Sequence, residues 1–211
     1  MKNKKTAILI WIIILLPFIV AFILWDKIPT QLAIHLNSKH LENKIITVLS
    51  LPILNLIIFL SLRLILKFFV DKNKLPLFED RINSISLALH SFITALFLIN
   101  ISYTLNNNVP IFNLFAYTLL ITFLVMGNYF NAIKPNRFFG IRVPWTLRNE
   151  DVWRKTHFMA ARLWVFYSLA MMLIIPFFSQ VIIAVLFVIY FFVIIISPII
   201  YSFIISKKQS L

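Results

Sequence analysis

Residues 181–205 read VIIAVLFVIYFFVIIISPIIYSFII and contain no charged side chain. A run of about 18 or more apolar residues can cross the hydrocarbon core of a bilayer as an α-helix. Five further runs of similar length come earlier, at residues 7–25, 45–62, 82–105, 111–133 and 158–178. The sequence therefore predicts an all-α, polytopic membrane protein with six transmembrane helices.

The composition agrees with lipid as the main surroundings of the chain. Of 211 residues, 61% are hydrophobic and 13% are charged, whereas roughly a quarter of the residues of a soluble domain are charged. The absence of cysteine removes disulfides, thiolate chemistry and S-palmitoylation. A soluble enzyme, a disordered tail and a disulfide-stapled scaffold are therefore excluded.

Basic side chains lie on alternate connections between the apolar runs. Of the 20 Lys and Arg residues, only Lys27, Lys39 and Lys44 fall on one side of the predicted membrane, and the other 17 fall on the opposite side. The positive-inside rule then predicts that both termini are cytoplasmic. The first run lacks a small-x-small cleavage site, so it is predicted to be an uncleaved signal anchor. Orientation in the membrane, rather than nucleic-acid binding, explains the net charge of +13.

Polar groups inside the apolar runs are sparse. All seven carboxylates lie outside the apolar cores, which argues against a proton-coupled pump and against an intramembrane aspartyl protease. His90 and Asn100 lie within the third run, where hydrogen bonding between helices is expected, with a titrating role for His90 as the alternative. His35 and His40 lack the further ligands that a metal site needs. We expect no catalytic residue, no metal and no cofactor.

Both glycines of the chain, Gly127 and Gly140, fall within residues 126–157, which extend from the end of the fourth run to the start of the fifth. In a chain with only two glycines, each indicates special backbone geometry or close approach of another group. We expect residues 134–146 to form an irregular, ordered stretch at the membrane surface, because prolines interrupt helices there. A linker anchored at the interface by Arg and Trp is the alternative interpretation.

The fifth helix is predicted to begin directly after this stretch. Asn149 is a suitable N-cap, and two acidic residues follow it in the first turn, where the helix dipole favours anions. Helical spacing would then place four side chains on one face: Trp153, His157, Ala160 and Trp164.

Residues 136–157 resemble the signature of the SdpI family of bacterial immunity proteins. The family pattern, N-x-x-x-G-I-R-x-P-W-T-L followed by V-W-x-x-T-H, matches without a gap. The matching residues are Asn136, Gly140, Ile141, Arg142, Pro144, Trp145, Thr146, Leu147, Val152, Trp153, Thr156 and His157.

A weaker resemblance covers the first outer loop. Pro29, His35 and Asn37 match the P-x-x-I-x-x-H-x-N opening of the DUF1648 domain, although the usual Phe is replaced by Leu36 and the Gly after Asn37 is missing. Together the two resemblances imply a DUF1648-like segment at 1–70, with two spans and the outer loop. They also imply an SdpI-like segment at 82–205, with four spans and a cytoplasmic motif loop at 134–157.

The resemblance implies a multi-pass protein of the bacterial plasma membrane that protects the cell against a membrane-active peptide toxin without catalysis. Its partners would be the lipid bilayer, the toxin and, as in founding members, a cytoplasmic transcriptional repressor; no direct contact with nucleic acid is implied. A small-solute or lipid transporter and a membrane enzyme are the alternatives. Within the motif we expect Arg142 and Trp145 to matter most, Arg142 as a bidentate donor and Trp145 as a wedge at the interface.

Overall fold

The computed structural model describes residues 2–29, 31–33, 41–69, 75–106, 108–131, 133–136 and 140–209. The contacts of the chain divide it into two compact units, residues 1–118 and 119–211. The helices of the described part are α1 Lys2–Leu24, α2 Lys44–Phe69, α3 Leu75–Leu105, α4 Ile111–Phe130, α5 Pro144–Arg148, α6 Glu150–Ile174 and α7 Gln180–Gln209.

Six of the described helices are long and apolar enough to cross a membrane, which confirms the predicted class and the number of spans. In lipid, helices satisfy their own backbone hydrogen bonds. Apolar side chains can face outward there, because hydrocarbon rather than water surrounds them. Phe22 and Phe177 are accordingly 84% and 81% exposed on the protein itself. Pro17, Pro52 and Pro198 lie inside helices, as spanning helices tolerate.

The connection between α1 and α2 contains a short β-ladder, which the sequence did not predict. Strand β1, Gln31–Ala33, pairs antiparallel with strand β2, Leu41–Asn43. Three-residue strands are too short to produce a readable alternation of apolar and polar residues. Of the outer-loop motif, Pro29 is described and exposed, whereas His35 and Asn37 lie outside the described residues.

The first unit packs α1, α2 and α3 around two apolar clusters. One cluster contains Ile10, Ile14 and Phe59. The other is formed by Ala21, Ile28, Val48, Phe97 and Ile101. These side chains fix how the three helices pack within this unit.

A buried polar network joins the same three helices. The Nδ1 atom of His90 lies 2.6 Å from Oδ1 of Asn55 on α2, and Nδ2 of Asn55 donates to Oγ1 of Thr94 at 3.2 Å. Thr94 in turn donates to the carbonyl oxygen of Ile13 on α1 at 2.9 Å. The predicted interhelical role of His90 is confirmed. Asn100, by contrast, accepts hydrogen bonds from Thr104 within α3, so Asn55 is the amide that bridges helices.

In the second unit, α6 and α7 form a tight antiparallel hairpin. A 3₁₀ turn at Ile175–Phe177 follows α6, and α7 begins at Gln180. Two polar contacts hold the hairpin within the bilayer region. Nε1 of Trp164 donates to the carbonyl oxygen of Ile194 at 3.1 Å, and the buried hydroxyls of Ser168 and Tyr190 lie 2.8 Å apart.

Candidate functional site

The motif loop ends in a short helix, and the predicted irregular stretch is therefore wrong for its last residues. Helix α5 begins at Pro144, whose missing N–H and fixed φ suit the first helical position. Val143 before it is extended, as expected, with φ −108° and ψ 156°. Oγ1 of Thr146 accepts from the N–H of Val143 at 3.1 Å and faces the carbonyl oxygens of Ile141 and Val143 at 2.8 and 2.9 Å. This buried threonine closes the first turn of α5.

Asn149 is the N-cap of α6, as predicted. Its backbone is extended, and its side-chain oxygen accepts from the N–H groups of Asp151 and Val152 at 2.9 and 3.2 Å. The carboxylate of Asp151 forms ion pairs with Arg154 and Lys155 at 2.8 and 2.6 Å. The cap sets the point at which α6 starts, and hence which face of α6 meets the loop.

Both ring nitrogens of His157 are used to hold the loop against α6. Nδ1 lies 2.8 Å from the carbonyl oxygen of Trp153, which can only accept, so the proton is assigned to Nδ1. Nε2 then accepts from the backbone N–H of Ile141 at 3.0 Å. The indole of Trp153 stacks on the imidazole with 4.1 Å between ring centroids. His157 is fully buried. Together with Trp153 and Gly140 it holds the motif loop against α6, and we call these three residues the clamp.

Gly140 lets the loop backbone approach the rings of Trp153 and His157 closely. Its φ of +115° lies in a region that residues with a Cβ rarely adopt. A Cβ at this position would lie 2.9 Å from ring atoms of Trp153 and would overlap Nε2 of His157. The predicted need for special backbone geometry and close approach at this glycine is confirmed.

Gly127 likewise allows a close approach, here between the end of α4 and α6. A Cβ there would lie 2.9 Å from Cβ of Trp164 and 3.2 Å from the carbonyl oxygen of Ala161. The absence of a side chain lets the end of α4 lie directly against α6.

An aromatic stack extends from the clamp along the predicted face of α6. Phe130 lies 5.0 Å from the ring centroid of His157 and 4.6 Å from that of Trp164, nearly parallel to the latter. Nε1 of Trp153 donates to the carbonyl oxygen of Ile133 at 2.8 Å. Trp153, His157 and Ala160 are buried, which confirms the shared face. Phe130 lies outside the matched pattern, and one Phe among 22 gives no sequence signal.

The remaining polar members of the motif also make internal contacts. Nε1 of Trp145 donates to Oγ of Ser202 on α7 at 2.8 Å, so the indole is held by a neighbouring helix. Oγ1 of Thr156 donates to the carbonyl oxygen of Val152 at 2.7 Å and is buried. Nδ2 of Asn136 donates to the carbonyl oxygen of Lys134 at 2.9 Å, at the start of the loop.

Arg142 differs from these residues because its side chain is exposed. The ion pairs among the described residues of this unit are the two made by Asp151, and they do not include Arg142. Pro144 is exposed beside it. The motif thus has a buried part that fixes the loop and an exposed part that the loop displays.

Residues 132–202 match the SdpI/YfhL protein family. The Immunity protein SdpI of Bacillus subtilis (strain 168) is 27% identical over 165 residues, which cover 77% of this chain and 77% of the relative. No solved structure matches the chain. The likeness to this family and the six apolar helices together indicate a multi-pass protein of the bacterial plasma membrane.

The matched residues 132–202 contain the clamp, α5, α6 and most of α7. Among the described residues, no group of three His, Cys, Asp or Glu side chains could hold a metal ion. Both nitrogens of His157 are already bonded, so this histidine is placed to support the loop rather than to exchange protons with a substrate. The DUF1648-like segment and the division at 1–70 and 82–205 stay predictions.

Proposed function

We propose that this protein gives its cell immunity to a membrane-active peptide toxin. The observation that carries the proposal is the likeness to Immunity protein SdpI, which extends over 77% of both chains. The site geometry supports it, because the residues of the matched pattern converge on one hydrogen-bonded loop. In this proposal the protein acts by binding the toxin and catalyses no reaction.

In the proposed mechanism, the toxin binds in or beside the bilayer against the lipid-facing helices and is kept from its membrane-disrupting state. The clamp of Gly140, Trp153 and His157 holds the loop in one conformation, so Arg142 is presented without a further entropic cost. A guanidinium can form two parallel hydrogen bonds to a carboxylate or to backbone carbonyls, which Lys cannot reproduce. Arg142 is the proposed contact group of the loop.

The excess of basic residues on this side supports a cytoplasmic position for the loop, and the resemblance implies a transcriptional repressor as an inner partner. We infer that the exposed surface of Arg142 and Pro144 is where such a partner would dock. Loss of repressor recruitment to the membrane in Arg142→Ala cells, at unchanged protein abundance, would support this role.

Expression of the chain in a sensitive bacterium tests immunity. Cells that carry the protein should survive a challenge with the cognate membrane-active peptide at concentrations that kill cells with an empty vector. The membrane abundance of the protein is measured in parallel. Equal killing of both strains, with the protein present in the membrane, would contradict the proposal.

A further inference from the structure

A groove of about 180 Å³ opens on the second unit, where the end of α4 lies against α6. Its polar lining consists of Arg162, Asn128 and Asn131, all of them exposed. Its apolar lining includes Phe158, Val165 and Phe166. Neither the clamp nor the proposed immunity mechanism uses this groove.

Arg162 lies inside the candidate spanning segment Glu150–Phe177. It precedes the end of the span at Phe177 by 15 residues, or roughly 22 Å of helix, whereas the hydrocarbon core is about 30 Å thick. A cation at that depth is costly unless it reaches an anion or the headgroup region. The ion pairs among the described residues do not include Arg162. Its guanidinium lies over the Phe158 ring at 4.1 Å, which leaves its edge available for hydrogen bonds.

The groove therefore combines one guanidinium, two side-chain amides and an apolar wall that continues toward the middle of the bilayer. A phosphodiester accepts from guanidinium and amide N–H groups. An acyl chain attached to that phosphodiester would lie along the wall, where Phe166 is 66% exposed. We propose that this groove binds one anionic phospholipid, with its phosphate at Arg162 and its acyl chain along Val165 and Phe166.

The test counts retained lipids directly and requires no toxin, so its outcome is separate from that of the immunity test. The protein is placed in nanodiscs of equal parts phosphatidylglycerol and phosphatidylcholine and released into a native mass spectrometer. Wild-type protein should keep phosphatidylglycerol in excess over phosphatidylcholine. Arg162→Gln should lower the retained phosphatidylglycerol about tenfold, in line with the loss of a charge-assisted hydrogen bond.

Two variants control this experiment. Arg148→Gln removes an exposed cation outside the groove and should keep the wild-type preference. Asn131→Asp leaves Arg162 in place and adds a carboxylate to the groove, so it should weaken phosphatidylglycerol retention even if Arg162→Gln fails to fold.

Equal retention of both lipids by the wild type would overturn the proposal. So would unchanged retention in both groove variants, because the preference would then come from the general surface charge. Loss of toxin protection in Arg162→Gln, with phosphatidylglycerol retention unchanged, would assign the groove to the peptide instead.

Discussion

Gly140 is the residue on which the clamp most depends, because its φ is positive and the rings of Trp153 and His157 occupy the space that a Cβ would take. Gly140→Ala combines backbone strain with overpacking, and should lower the free energy of unfolding by about 3 kcal/mol. Unfolding in detergent micelles, followed by circular dichroism, measures the change. Membrane abundance should fall as well.

Leu147→Ala is the matched control, since Leu147 belongs to the same motif but its side chain is 45% exposed. An exposed substitution of this kind changes stability by less than about 0.5 kcal/mol. If Gly140→Ala is as stable as Leu147→Ala, the clamp does not hold the loop in the way described.

The His90 network makes a separate residue-level prediction in the first unit. His90→Phe and Asn55→Leu each break the 2.6 Å contact between the two side chains. In a double-mutant cycle the pair should show a coupling free energy of about 1 kcal/mol. Strictly additive losses would mean that the two groups do not support each other.

The His90 network and the clamp at Gly140 could be predicted from the sequence to different extents. A single histidine in an apolar run must find a polar partner, so the role of His90 is predictable, but its choice of Asn55 depends on how three helices pack. Gly140 could be singled out because the chain has only two glycines. The hydrogen bonds of His157 could not be predicted, because they join a loop and a helix whose relative position only the fold determines.

At the scale of elements, two contacts of Trp145 hold α5 to α7: the 2.8 Å hydrogen bond to Ser202 and the ring contact with Phe203. Trp145→Phe keeps an aromatic ring against Phe203 and removes the N–H donor. It should destabilise the protein by about 1 kcal/mol, and Ser202→Ala should add little to that loss.

A large additional loss from Ser202→Ala in the Trp145→Phe background would contradict this arrangement. Ser206→Ala is the control, because Ser206 is on the same helix and donates to the carbonyl oxygen of Phe203 within α7. That substitution should be additive with Trp145→Phe.

Long elements were predictable here and short ones were not. Six runs of apolar residues reach the length of about 18 residues needed to cross a bilayer, and the structure has six matching helices in its described part. Helix α5 and strands β1 and β2 have five, three and three residues, too few for any periodicity to show. Pro144 was interpreted as an interruption, although proline also suits the start of a helix.

At the scale of the whole molecule, the distribution of basic residues predicts the orientation in the membrane. The chain contains no cysteine, so single cysteines can be labelled specifically. Asn108→Cys should react with an impermeant maleimide in intact cells, and Glu150→Cys should react only after permeabilisation. Both positions are exposed, so an inverted pattern would show that the loop faces outward.

The central claim is that the buried clamp displays Arg142 as the contact group of an immunity protein. Survival under toxin and membrane abundance are measured together for the wild type, Arg142→Lys and Arg148→Lys. Arg142→Lys should lower protection about tenfold at normal abundance, because Lys lacks the bidentate fork, while Arg148→Lys should protect as the wild type does. Full protection by Arg142→Lys at normal abundance would contradict the claim and leave the loop as an interfacial anchor.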